Sequence, residues 1–453
     1  MFDLAISSNH TVTPDGIRKA SVLIRNGKIA GIIDEVKEKE FPIVEVGDLV
    51  LMAGIVDSHV HINEPGRTDW EGFDTATLSA IAGGITSLVD MPLNSTPVTT
   101  TLAAFQDKMN SMTGQLHCNC GCWGGIVPGN HKEIESLIDN GVLGFKAFLT
   151  HSGIDDFPNV TERELRKAMP IIARSGLPLL VHAELSGETG THYPPSRSYS
   201  TYLASRPCSF EDKAIELMIR LCEEFGCRTH IVHLSSANSI EQIADAKQRG
   251  LPLTVETGQH YLYFNAEDIE DGRTEFKCAP PIRDRSNNER LWDALKAGII
   301  DFVATDHSPA PPEMKHPESG DFMNAWGGIS SIQFALPALW TAAQTRNASL
   351  NDIAKWLCSG PARLAGASKG ELSVGYDADF VIWDPHSKFK VLKENILHRH
   401  KTTPYMGEQL SGIVHQTWLA GKKVFEQGRM ISPNEGKILL GQQAIIKYNS
   451  TAL

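Results

Sequence analysis

The chain has 453 residues, 41% apolar and 21% charged, a globular composition that excludes a disordered or low-complexity protein. Its 42 Lys and Arg against 54 Asp and Glu leave a net charge of −12 with no long basic run, which argues against nucleic acid or a membrane as a partner. Eight cysteines are too sparse for a disulfide scaffold, and neither a signal-peptide pattern nor an apolar run of about eighteen residues is present, so a reduced, cytoplasmic protein is expected.

The first fifty residues read as short strands with turns. Leu4 to Ser7 precedes a turn at Pro14-Asp15-Gly16, Ala20 to Ile24 follows, and the tight turn Asn26-Gly27 leads into Ile29 to Ile33. The tail has the same texture: Asp379 to Trp383, Gly412 to Leu419, the turn Gly421-Lys422, then Val424 onward. Paired, the two ends predict one small β-sandwich from residues 1–52 plus 365–453. Between them, apolar runs alternate with helical patterns. The runs are Val50–Ile62, Ile85–Pro92, His117–Val127, Val142–Leu149, Leu177–Glu184, Arg228–Leu234, Leu251–Thr257 and Asp301–Asp306. The helical patterns include Thr161–Arg174, opened by a capping box at Thr161 and Glu164, and Ser209–Phe225, Ser239–Gln248 and Asn287–Ala297. Eight strand–helix repeats over 53–364 predict an α/β fold, a TIM (β/α)₈ barrel.

Barrel chemistry sits at the C-terminal ends of strands. The first run ends in Asp57-Ser58-His59-Val60-His61, where a period of two puts both imidazoles on one face. Later runs end with Lys146, with His182-Ala183-Glu184, with His233, and with Asp306-His307. Taken singly, each has an ordinary explanation: a core histidine, a lysine reaching water, a helix cap. Four His, one Lys and one Asp at matching strand ends point instead to a metal site. Imidazole and carboxylate suit zinc, and also iron, cobalt or manganese. The set exceeds one tetrahedral ion with an open position and suits two. An ammonium beside two divalent cations is disfavoured, and a neutral amine adds carbon dioxide to form a carbamate, which allows N6-carboxylation of Lys146.

Other candidates read as structure. Cys118, Cys120 and Cys122 fall on one strand face as small buried residues. The odd spacing of His230 from His233 points it to the opposite face, and His307, facing away from Asp306, reads as a supporting partner. His192, His260, His316, His398 and His400 carry no clear signal.

At these residues the chain resembles the cyclic amidohydrolases of the amidohydrolase superfamily. The resemblance rests on Gly54 to His61, Gly144-Phe145-Lys146, Val181 to Glu184, His233 to Ser236, Asp306 to Pro309 and Gly375 to Phe380. It implies a distorted barrel with a small sandwich from both termini, and frequently a tetramer. It also implies that His59, His61 and Asp306 hold one metal, that His182 and His233 hold the other, that carboxylated Lys146 bridges them, and that a hydroxide is the nucleophile.

Among the branches, Asn63 to Arg67, Cys278 to Arg283, Asp306 to Lys315 and Ala325 to Ile329 are similar to the allantoinases, with Ala310 departing from their pattern. That branch implies a cyclic ureide substrate, allantoin, and Asp306 as the proton-transferring residue. Dihydroorotases carry an arginine where Asn63 stands, and hydantoinases and dihydropyrimidinases a tyrosine where His151 stands. Arg67 remains available to an anionic substrate. An inactive scaffold of the same fold is the non-enzyme alternative. Asn94, Ser308 and the loop Cys278–Pro281 are candidate substrate contacts, and Glu64 to Gly72 reads equally as a mobile lid or a static loop.

Overall fold

A computed structural model describes residues 2–37, 41–186 and 193–441. The N-terminal strands are β1 (Leu4–Thr13), β2 (Gly16–Arg25), β3 (Lys28–Ile33), β4 (Ile43–Glu45) and β5 (Val50–Ala53). Asn26 and Gly27 both take positive φ, 53° and 72°, as the tight turn between β2 and β3 requires.

The barrel follows with β6 (Ile55–Val60), β7 (Ile85–Asp90), β8 (Asn119–Cys122) and its continuation β9 (Gly124–Gly125), β10 (Phe145–Phe148), β11 (Leu179–His182), β12 (Thr229–Ile231), β13 (Leu253–Gly258) and β14 (Phe302–Ala304). Neighbours pair in parallel from β6 to β8 and from β9 to β14. A parallel bridge between Val60 and His307 joins the two ends, and the His61 amide donates to the His307 carbonyl at 2.8 Å. All eight expected runs supply a barrel strand, and both faces of β6, β7 and β10 are buried throughout, which is why their sequences read as continuous apolar stretches.

The intervening helices match the expected patterns at Glu162–Ser175, Cys208–Phe225, Ile240–Gln248 and Arg285–Lys296. The capping box forms: the Thr161 side chain accepts from the Arg163 amide at 3.3 Å, and Glu164 accepts from the Thr161 amide at 3.0 Å.

The C-terminal strands are β15 (Phe380–Lys390), β16 (Gln409–Leu419), β17 (Lys422–Glu426) and β18 (Arg429–Met430). They join the N-terminal ones in a nine-stranded sheet ordered β18-β17-β16-β15-β5-β1-β2-β3, with β4 on β1. The two β-rich ends therefore combine as expected. The segment Gly375–Phe380 stitches them: Gly375 and Ala378 donate to Ile29 and Gly27.

One reading needs correction. Val50–Ile62 is two strands, not one: β5 belongs to the terminal sheet and β6 to the barrel. Gly54 sits at the junction, where a Cβ would collide with Thr86 Oγ1.

Candidate metal and active site

Parallel strands that all end at one rim bring their last side chains together. His59 and His61 come from the end of β6, Lys146 from β10, His182 from β11, His233 from just beyond β12 and Asp306 from just beyond β14. All six are buried. His59 Nε2 lies 3.2 Å and His61 Nε2 3.4 Å from Asp306 Oδ1. The His59 and His233 rings are 5.3 Å apart, and those of His182 and His233 4.6 Å. Ligand atoms of His59, His233 and Asp306 all fall within 4.8 Å of one another.

The backbone helps to aim them. His233 and Asp306 have φ of 39° and 46°, the left-handed region that residues with a Cβ rarely enter. That twist breaks the two-residue alternation of a strand. It explains why His230 is not simply turned away from the site: its Nε2 sits 3.2 Å from Glu256 Oε2 inside the barrel. His307 faces away from Asp306, as expected, with Nε2 3.3 Å from Glu71 and Nδ1 accepting from the Ser331 amide at 3.0 Å.

Electrostatics set the protonation states. Burial pushes His61 down to about 4 and His233 and His182 below the usual imidazole value, so these rings are neutral and free to donate lone pairs. For Asp306, burial opposes ionisation, but His59 and the His61 contact outweigh it and hold the carboxyl well below its usual range. Lys146 is lowered to about 7, first by burial. Its Nζ is sealed from solvent and has no hydrogen-bond partner among the described residues. A bare ammonium is costly there, whereas a carbamate on that nitrogen would turn it into an anionic ligand. Neutral imidazoles, a carboxylate and an orphaned amine fit a divalent-metal centre.

A second layer holds these groups. Glu256, on β13, was not singled out by sequence reasoning. It is fully buried, one oxygen on His59 Nδ1 and the other on His230, and the His233 amide donates to it at 3.3 Å. The only signal in the sequence was an acid inside an apolar run. Glu184 accepts from His182 Nε2 at 2.7 Å and pairs with Arg206 through two of its nitrogens. Cys118, Cys120 and Cys122 are buried free thiols, as expected, with burial raising all three.

Five of the six groups line a cavity of about 660 Å³, and Lys146 lies buried beneath its surface. Asn94 and Ser308 line the wall, as do Ala279 of the expected contact loop and His151. Asn94 Nδ2 is 3.4 Å from His61 Nδ1. Asn63 and Arg67 are not on that wall: Asn63 Nδ2 donates to the Pro309 carbonyl at 3.3 Å, and Arg67 is tied to the Asn94 carbonyl and to Asp156. The segment Glu64 to Gly72 is pinned, with the Gly72 amide on Ile62, the Thr96 amide on Pro65, and Trp70 edge-on to Trp326. His316 lines the cavity, His260 and His398 are buried with ring nitrogens that have no hydrogen-bond partner among the described residues, His400 bonds the Asp69 carbonyl, and His192 lies outside the described residues.

The amidohydrolase family model matches residues 50–424. The chain belongs to the amidohydrolase family. Membership implies divalent-metal binding, in line with the donor set above. Curated relatives of this amidohydrolase extend over nearly its whole length. An allantoinase of Streptomyces avermitilis is 44% identical, covering 96% of this chain and 98% of the relative. One of Arabidopsis thaliana is 42% identical over 96% and 90%, and one of Saccharomyces cerevisiae 40% identical over 97% and 98%. Among solved structures, the L-hydantoinase (dihydropyrimidinase) of Arthrobacter aurescens superposes with a TM-score of 0.91 at 32% identity, covering 97% of this chain and all of that one.

Proposed function

We propose that this amidohydrolase hydrolyses the ring amide of allantoin to give allantoate. What carries the reading is that five of the six expected groups line one cavity, with Lys146 buried beneath them, in a chain 44% identical to an enzyme named allantoinase. We assign His59, His61 and Asp306 to one divalent ion and His182 and His233 to a second, with Lys146, N6-carboxylated, between them. Zinc is the first candidate, with iron, cobalt and manganese next. Held by these residues, two such ions would supply an activated water and a polarised amide carbonyl.

The chain's own residues do the rest. Asp306 accepts the proton of the attacking water and returns it to the leaving ring nitrogen. Its carboxyl is held low, so it serves as a transient carrier, not as a standing acid. Glu256 and Glu184 fix the orientation of His59 and His182. Asn94 and Ser308 offer polar groups to the alternating N–H and C=O groups of the ureide, and the cavity volume suits a small molecule.

A unit boundary near Gly54, giving 53–364 as the barrel and 1–52 plus 365–453 as the terminal unit, belongs to the same proposal. So do a homo-oligomeric, tetrameric assembly and a cytoplasmic location. Unpaired thiols at all eight cysteines suit a reducing compartment. Among the described residues no helix is long and apolar enough to cross a membrane.

A hydantoinase or dihydropyrimidinase reading draws support from the structural likeness to the L-hydantoinase. Dihydroorotase loses support because Asn63 and Arg67 are committed elsewhere, and an inactive scaffold because all six groups are present. Hydrolysis of allantoin, hydantoin, dihydrouracil and dihydroorotate by metal-replete protein, side by side, decides. A large preference for allantoin is expected, and preferential turnover of any of the other three would overturn the proposal.

A further inference from the structure

The cavity wall carries two cations that the reaction above does not use. Arg206 lines it with its side chain 26% exposed. Glu184 takes its Nε at 3.1 Å and also its Nη2, so one edge of the guanidinium is spent holding the partner of His182. The other edge, Nη1, has no partner among the described residues. Lys277 lines the same wall. Its Nζ donates to the carbonyls of Met323 at 3.0 Å and Ala325 at 2.6 Å, which leaves one of three N–H donors uncommitted. Arg206, Lys277 and Tyr202 line the same cavity, and the Arg206 charge reaches Lys277 electrostatically. Lys277 Nζ stands 4.9 Å over the Tyr202 ring. The Tyr202 hydroxyl donates to the Cys278 carbonyl at 2.6 Å and accepts from neither cation among the described residues. Among the lining residues, Asp306 is the one carboxylate, and it is paired with His59 and His61. Two charged donors therefore face the cavity with no uncommitted carboxylate among its lining residues.

We infer that Arg206 and Lys277 form a subsite for the exocyclic ureido carbonyl of the substrate, and that this subsite selects allantoin over hydantoins that lack that carbonyl. The inference rests on the allantoin reading and deepens it. In allantoin the ureido group is attached to the ring carbon next to the carbonyl that is attacked. With that carbonyl among His59, His61, His182, His233 and Asp306, the tail starts one carbon away. Arg206 is one residue removed from the same cluster, through Glu184 and His182. A carbonyl oxygen accepts from charged N–H donors about twice as strongly as from neutral ones. An apolar tail in the same place leaves both donors desolvated and unmatched, and this is the arrangement from which polar sites draw their largest discrimination.

The test uses the metal-loaded full chain and compares kcat/KM for allantoin with that for 5-isobutylhydantoin, whose tail is of similar size without polar groups. The wild type should prefer allantoin by roughly tenfold to hundredfold. Lys277→Met should lose roughly tenfold on allantoin and little on 5-isobutylhydantoin, with metal content unchanged, and Lys277→Arg should recover part of the preference. Equal turnover of the two substrates by the wild type overturns the inference whether or not the variants fold. So does an unchanged preference in metal-replete Lys277→Met. Preferential turnover of dihydroorotate would show that the cations grip a carboxylate instead, which also overturns it. No turnover of allantoin by the wild type defeats the functional reading itself, a different result from turnover without tail selection.

Discussion

Lys146 concentrates the unresolved charge of the site. Its amine is buried, has no hydrogen-bond partner among the described residues and is lowered to about 7, so its energetic standing depends on what is built on that nitrogen. Lys146→Ala is expected to abolish hydrolysis and to bring bound divalent metal well below two per chain, measured by elemental analysis. Full activity with full metal would defeat the bridging role. Glu256 is the complementary case, a carboxylate that touches ligands but no substrate. Burial opposes its ionisation, and His59 and His230 pull it down to about 2. Glu256→Gln keeps the shape, removes the charge and lets the His59 ring turn over. Metal affinity should fall about 10–100-fold, read by competition with a chelator, with fold and cavity intact. The six candidate positions were legible because each lies at or just beyond a barrel strand's end, and such an end has a known address. Glu256 was not, because a lone acid in an apolar run has no spacing that names its partners. His230 was misjudged for a related reason: alternation was carried across His233, whose positive φ cancels it.

Segments show the same division between what periodicity reveals and what single residues decide. The helix Glu162–Ser175 was legible to within a residue because Thr161 and Glu164 announce its start. The stretch 50–62 misled because apolar residues continue unbroken across a change of sheet, from β5 beside β1 and β15 to β6 beside β7. At that junction the Gly54 amide donates to the Asp379 carbonyl at 2.8 Å, while Thr86 fills the space a side chain would need. Thr86 also bonds the Ile55 carbonyl at 3.2 Å, so it does not yield without loss. Gly54→Ala should therefore destabilise the fold by about 1–3 kcal/mol, seen as a lower denaturant midpoint. Gly54→Ala combined with Thr86→Ser, which removes one of the crowding atoms, should recover part of it. If the single variant is as stable as the parent, the junction is not the tight contact described.

At the scale of the whole molecule, the connection between β15 and β16 is held against the barrel by buried ionisable groups, and these tie stability to pH. The Arg399 amide donates to Glu71 Oε1 at 3.1 Å, and Glu71 meets His307, which follows Asp306 directly. His398 lies beside this cluster, its ring 5.6 Å from that of His307, fully buried and with both nitrogens unpartnered among the described residues. Burial first, and His307 next, push it down to about 3, while Glu71 pulls the other way and Lys401 adds to the depression. Its unfolded value is near 6.5. Between those two values the unfolded chain binds a proton that the folded chain refuses. The contribution is therefore complete above about pH 6.5 and drains away as the pH falls toward 3, by about 1.4 kcal/mol per pH unit at most. His398→Leu removes the titrating ring without orphaning a hydrogen bond. Its stability relative to the parent should rise steadily from pH 7 to pH 4.5 in urea titrations, and the metal ligands, common to both proteins, cancel in that difference. A difference that stays flat with pH would mean that the folded state admits the proton, either because His398 finds an acceptor or because the connection between β15 and β16 opens before the ring is forced to charge.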